Sequence, residues 1–347
     1  MRKFISVMVV SLLLASVMLM PASASSISSE EISTLEPITN YDIEHYEYPI
    51  TADSPDWFDY TVLEKVKMLT IPESILGRMT DEALIQAIAD YPYLVDLYVY
   101  GNAVSDGIIT SQSYFSALQE LLSRETAVES LSTYGVSFAN AVNTVAATDD
   151  EIDNHDKLAA LSMDYILNYA RNPLVSDATV ASPRGSTSGY VYTPSGLSVP
   201  AVFYDSCRAT RSHSVIDQEL IDTYNVIKVR SGSCYYNCHS YAWYSRSSSN
   251  RTWIPDAGIY TTDSAYTRIY NGGTSTSLAS SGIANGDIVF YGSSGTHSAV
   301  FIGNAASTKT LYSGLCQSKW GMAGLFQHAL GNVPSSYTTS RIYIYRD

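Results

Sequence analysis

Between about Asp56 and Pro173, apolar residues recur at helical spacing rather than alternating. Leu84, Ala87, Ile88 and Tyr91 fall on one helix face. Thr80 ahead of them supplies an N-cap oxygen, and Asp81 and Glu82 lie where the positive helix end favours carboxylates. Thr70-Ile71-Pro72-Glu73 fits a capping box with an early proline. Residues 114–122, 127–134 (ending at Gly135) and 152–170 (ahead of Pro173) predict further helices.

The pattern changes after that. Residues 174–200 are dominated by Ser, Thr, Gly and Pro, a linker composition. Beyond them, 287–291, 298–303 and 341–345 are β-branched and aromatic runs bounded by Gly, Asn and Ser, which predict strands. One helix is expected to start near Asn237–Cys238 and to run through Trp243. The expected fold class is α+β, with an all-α domain over 25–173, a linker over 174–200 and an α+β domain over 201–347.

Residues 1–24 stand apart. Arg2 and Lys3 precede an apolar run from Phe4 to Met20, then Pro21 and Ala22-Ser23-Ala24, which reads as a signal peptide cleaved after Ala24. The run is short for a membrane span and is interrupted by serines, and no later stretch is long and apolar enough. The mature chain is therefore expected to be secreted and extracellular, free or cell-wall associated, with no stable membrane span.

Composition and charge refine this. With 46% hydrophobic and 16% charged residues the chain can bury a sizeable core. The net charge of −14 is unevenly placed: residues 26–180 carry 26 Asp and Glu against 6 Lys and Arg, and residues 181–347 carry 8 against 12. Such unlike surfaces suggest two folding units. No basic run interleaved with aromatics is present, so a nucleic-acid partner is not expected. The acidic half has no nucleophile–base pair and no phosphate loop; His45 and His155 lie in acidic, polar surroundings and read as solvated. Its partner is unknown.

The chemistry gathers in the other half. Cys207, Cys234, Cys238 and Cys316 are even in number, so an oxidising compartment permits two disulfides. A Cys238 that opens a helix, however, has free N–H groups and the positive dipole end beside its sulfur, which favour the thiolate. His297, at the mouth of a strand, is the matching base. His239 points about 100° away from Cys238 on a helix and is the weaker candidate. Cys-x3-Cys-His lacks the second knuckle of a structural zinc site, so neither metal nor other cofactor is expected. Trp243 and Trp320 could form a substrate-binding wall, or else core. Asn237 could contribute to substrate or oxyanion binding, with the N–H of Cys238. Lys319 could meet an anionic substrate or be a solvated charge.

The order Cys238 on a helix, Gly286-Asp287 with a hydrophobic strand, then His297 leading a second strand resembles the papain-like superfold. It is most similar to the bacterial cell-wall hydrolases of the NlpC and CHAP kinds. Asn237-Cys238-His239-Ser240-Tyr241-Ala242-Trp243, with Ser318-Lys319-Trp320-Gly321 later, also resembles a group of exported Gram-positive proteins. The likeness spans roughly 230–345. It implies a cysteine peptidase or amidase acting on peptide or peptidoglycan amide bonds. It also implies a third residue, from the strand after the His strand, that orients the imidazole; Ser318 is the candidate, with Ser313, Gln317 and the more distant His328 as alternatives. NlpC enzymes carry Asp before the Cys and Ser-Gly after it, where this chain has Asn237 and His239-Ser240. The competing expectation is a non-catalytic exported binding or surface protein with structural disulfides.

Overall fold

The computed structural model describes residues 41–100, 104–146, 153–172, 186–206, 212–293, 295–303, 310–337 and 339–347. The expected signal peptide, Cys207 and much of the expected linker lie outside these residues.

Helices α1 (Val62–Leu69), α2 (Glu73–Leu76), α3 (Asp81–Ala89), α4 (Val104–Ser111), α5 (Ser116–Ser123), α6 (Ala127–Ser130), α7 (Val136–Ala146) and α8 (Asn154–Arg171) form the first half. Thr80 caps α3 as expected, accepting from Ala83 N–H at 3.0 Å. The capping box falls elsewhere than expected. Thr61 and Glu64 form it at the start of α1, while the Thr70 hydroxyl bonds back to the Val66 carbonyl at the end of that helix. Gly135 does not stop a helix either: the π-helical turn Leu131–Gly135 carries the chain directly into α7.

The second half contains β1 (Ser186–Tyr192), β2 (Ser198–Tyr204), α9 (Ser212–Tyr224), β3 (Ile227–Arg230), β4 (Thr252–Trp253), β5 (Thr267–Gly272), α10 (Leu278–Ser281), β6 (Ile288–Tyr291), β7 (His297–Phe301), β8 (Leu315–Lys319), β9 (Leu325–Ala329) and β10 (Ile342–Arg346). The protein is mixed α+β with two antiparallel sheets, one in the order β1-β2-β4 and one in the order β3-β9-β8-β7-β6-β10-β5. The β1–β2 hairpin occupies part of the expected 174–200 linker.

Side chains of the large sheet alternate between two cores, as the two-residue strand period dictates. Val289, Tyr291, Ala299, Phe301, Ile342 and Ile344 join a core that also holds Trp57, Leu84, Leu118 and Ile166 of the helical half. Ile288, Phe290, Val300 and Tyr345 join a smaller one with Val191, Val199, Tyr241 and Trp243. Residues 40–347 are one compact unit, so the acidic half and the strand-rich half share a core. Charge asymmetry reports surfaces, and here it does not mark a division of the interior.

Polar contacts tie the same halves together. Trp57 Nε1 donates to the Thr223 carbonyl at 2.8 Å, and Tyr224 OH donates to Asp96 Oδ1 at 2.6 Å. His155 is no solvated histidine: Nδ1 meets Glu219 Oε1 at 2.6 Å and Nε2 meets the Ala89 carbonyl at 2.8 Å. Two acceptors require both ring nitrogens to carry hydrogen, so this imidazole is held as the cation between α3, α8 and α9. His45, in contrast, is exposed beside Glu47.

Candidate active site

Asn237 sets the site's local structure. Its Oδ1 accepts from the N–H groups of Ser240 (3.0 Å) and Ile254 (3.3 Å), and its Nδ2 donates to the Ile254 carbonyl (2.7 Å). The first bond caps a helical turn over 238–244, continuing as the π-helix Ser240–Tyr244, and places Cys238 at its first position. With both amide atoms bonded within the fold, Asn237 is a structural clasp between this turn and the end of β4.

Two residues of the turn fasten it to β7. Trp243 Nε1 donates to Ser298 Oγ at 2.9 Å, and His239 Nδ1 lies 2.8 Å from the same oxygen. The Gly295 carbonyl is a further partner of the His239 ring. Burial pulls the His239 pKa down to about 4. The Trp243 ring is packed among Tyr260, Tyr266, Phe290 and Tyr345, so it belongs to the smaller core and not to a substrate wall.

On the opposite face of β7, His297 is fully buried. Its Nε2 lies 2.9 Å from Ser318 Oγ, which is 2.7 Å from His328 Nε2 and accepts from Trp320 Nε1 at 2.9 Å. Hydrogen-bond logic fixes the protons in this chain. His328 Nδ1 faces the Ala329 carbonyl at 2.8 Å, an acceptor, so Nδ1 carries the hydrogen and Nε2 is bare. The single Ser318 hydrogen therefore goes to His328. Ser318 Oγ then accepts from Trp320 and from His297, so His297 bears its hydrogen on Nε2. The other nitrogen, Nδ1, is a buried lone pair without a hydrogen-bond partner. Burial, with His328 and His239 nearby, holds His297 well below the ordinary imidazole pKa, and burial likewise brings His328 to about 4. Both are neutral at rest.

Two neighbours of this hydrogen-bond chain, Trp320 and Lys319, belong to the interior. Trp320 is completely buried, edge-on to Tyr224 at 5.2 Å, and serves as a hydrogen-bond donor within the core. Lys319 is also buried, its Nζ donating to the carbonyls of Ser233 (2.8 Å), Gly321 (2.6 Å) and Ala323. Burial lowers its pKa to about 7, against the upward pull of Asp217 and Cys238. Three carbonyl acceptors need three N–H donors, which only the ammonium has. It is a structural cation near the thiol rather than a solvated charge.

Cys238 and Cys316 are free thiols, and Cys234 is disulfide-bonded and so is no thiolate ligand for zinc. Burial raises the Cys238 pKa to about 11; the N–H groups of Ser298, His239 and Cys238 itself, and the charge of Lys319, act in the opposite direction. The sulfur thus reaches β7 at the peptide just after His297. No hydrogen bond joins it to Nδ1, which has no partner at all. The structure brings Cys238, His297, Ser318 and His328 into one neighbourhood and places Asn237, Trp243 and Trp320 around it as framework. Tyr337, which no sequence pattern singles out, lies against His297 as well: the two rings are stacked at 3.8 Å with an interplanar angle of 4°.

The chain matches no protein-family model, no curated protein and no solved structure.

Proposed function

We propose that the chain is an exported cysteine peptidase or amidase whose nucleophile is Cys238 and whose base is His297. One observation carries the reading: a buried imidazole with Nε2–H committed to Ser318 and Nδ1 open, at the strand start where a free thiol arrives. In the proposed reaction His297 Nδ1 takes the thiol proton as sulfur attacks the amide carbonyl. The N–H of Cys238 supports the oxyanion. The imidazolium then protonates the departing amine, and water cleaves the thioester. Ser318 keeps the proton on Nε2 throughout, the service that an orienting residue performs in acid–base triads. Cys at the start of a helical turn and His at the start of an antiparallel strand also resembles the papain-like arrangement, and peptide or peptidoglycan amides are the substrates that likeness suggests.

The non-catalytic alternative has two observations in its favour, the raised pKa of the thiol and the missing Cys238–His297 bond. Catalytic hydrogen bonds in substrate-free sites are often long and tighten on binding. The deciding experiment assays purified wall material and a panel of amide peptides with the wild type and with Cys238→Ala. Loss of cleavage in a folded Cys238→Ala protein is expected. Equal cleavage by both would sink the assignment.

A further inference from the structure

The helical half holds a side chain against the proposed base. Tyr337, in the loop between β9 and β10, donates its hydroxyl to the Val99 carbonyl at 2.5 Å, across 238 residues of sequence. Tyr100 of the same segment packs edge-on to the Tyr337 ring at 5.5 Å and 88°. Tyr337 is 3% exposed, and its face covers the His297 imidazole in near-parallel contact. The hydroxyl is therefore spent on the helical half, and the ring's π face is what the site receives.

We propose that Tyr337 is a positioning residue for His297, seated by the helical half, and that its ring face stabilises the imidazolium formed when His297 accepts the proton of Cys238. This rests on the reading of Cys238 and His297 as nucleophile and base. An aromatic face attracts a cation placed over it, and the attraction strengthens where water is excluded. Neutral imidazole gains far less, so the contact favours the charged pair over the resting one. The other titratable groups around His297 do not substitute for it. His328 and His239 are neutral and would repel a new cation if charged; Tyr291, 5.2 Å away, bonds to the Leu330 carbonyl; Lys319 faces Cys238, and Asp96 lies beyond Tyr337 among tyrosines. Tyr337 is the only one of them stacked on the ring.

The test measures the rate of Cys238 alkylation by iodoacetamide against pH in the full chain, with modified peptides mapped by mass spectrometry. The wild type should show a reactive limb below the pH at which a buried thiol ionises alone. Tyr337→Phe keeps the ring and should keep this profile, although it leaves the Val99 carbonyl unpaired and lowers the unfolding midpoint. Tyr337→Leu should cut the rate near neutral pH by about fivefold, the size of a moderate cation–π contribution. Its profile should rejoin the wild type at high pH, where the thiol ionises without help. A general loosening of the fold would not produce that convergence. Superimposed wild-type and Tyr337→Leu profiles, or a pH-independent difference, would overturn the inference about Tyr337 alone. A wild type without the low-pH limb would overturn it together with the nucleophile–base reading.

Discussion

His239 and His297 both lie buried against a serine hydroxyl, yet of the two only His297 keeps a ring nitrogen without a partner. Ser298 and Ser318 each also accept from a tryptophan N–H, so the two histidines sit in closely similar surroundings. What differs is the far side of the ring: the Gly295 carbonyl for His239, open for His297. The difference turns one histidine into scaffold and leaves the other able to take a proton.

Ser318→Ala should damage both the fold and the site. It strips the acceptor from Trp320 and His297 and the donor from His328, all buried. A loss of about 2 kcal/mol is expected from unpaired buried donors, read as a lowered denaturant midpoint. Nitrogen NMR of the His297 ring should show the Nε2–H tautomer in the wild type and a mixture in the variant. A pure Nε2–H signal in Ser318→Ala would refute the role given to Ser318.

Alkylation without reductant, followed by peptide mapping, should modify Cys238 and Cys316 in unfolded protein and leave Cys234 blocked until a reductant is added. In the native protein Cys316, which is fully buried on β8, should resist far longer than Cys238. A Cys234 that labels without reduction would contradict the structure.

The His155–Glu219 contact should make stability depend on pH. Burial alone would lower the His155 pKa, but Glu219, the Ala89 carbonyl and Asp90 outweigh it and raise the value above 6.5. A folded pKa above the unfolded one contributes stability that is complete below about 6.5 and is lost as pH rises through the folded value. The unfolding midpoint of the wild type, measured against that of His155→Gln, should therefore exceed it most at mildly acidic pH. An advantage that grows with pH would reverse the assignment.

Gly321→Ala should loosen the seam between the two halves. Gly321 has φ +48°, and an added Cβ would stand 2.5 Å from the Val99 backbone. Backbone cannot yield there as a side-chain tip can, so a cost of about 1–3 kcal/mol is expected. Calorimetry of the variant checks it, and an unchanged midpoint would show that the seam tolerates displacement.

The helices were legible because apolar period and caps coincide, as at Thr80 and α3, and β6, β7 and β10 because their β-branched and aromatic runs are bounded by turn residues. The β1–β2 hairpin was hidden because β1 buries only Val191 fully, leaving no alternation for the eye to follow. In α9 the buried positions include Asp217, Glu219 and Thr223 on more than one side of the helix, so they read as solvent-facing. Cys238, His297 and Ser318 could be picked out by residue type and order. The locked tautomer could not, since it depends on the Ala329 carbonyl, on Trp320 and on His328 meeting around one hydroxyl. Tyr337 gave no signal either: a single tyrosine among 28 in the chain acquires its meaning only from the ring it covers.

Within five residues the chain carries one cysteine oxidised and one reduced, Cys234 and Cys238. Proximity in sequence does not select between them, and burial separates them: Cys238 is buried and Cys234 is only partly so. Oxidants and disulfides react with thiolates, and a thiol whose pKa is lifted to about 11 offers almost none at rest. The burial that keeps the Cys238 thiol protonated is thus also its preservative. It gives the group a long shelf life in surroundings that cross-link its neighbour.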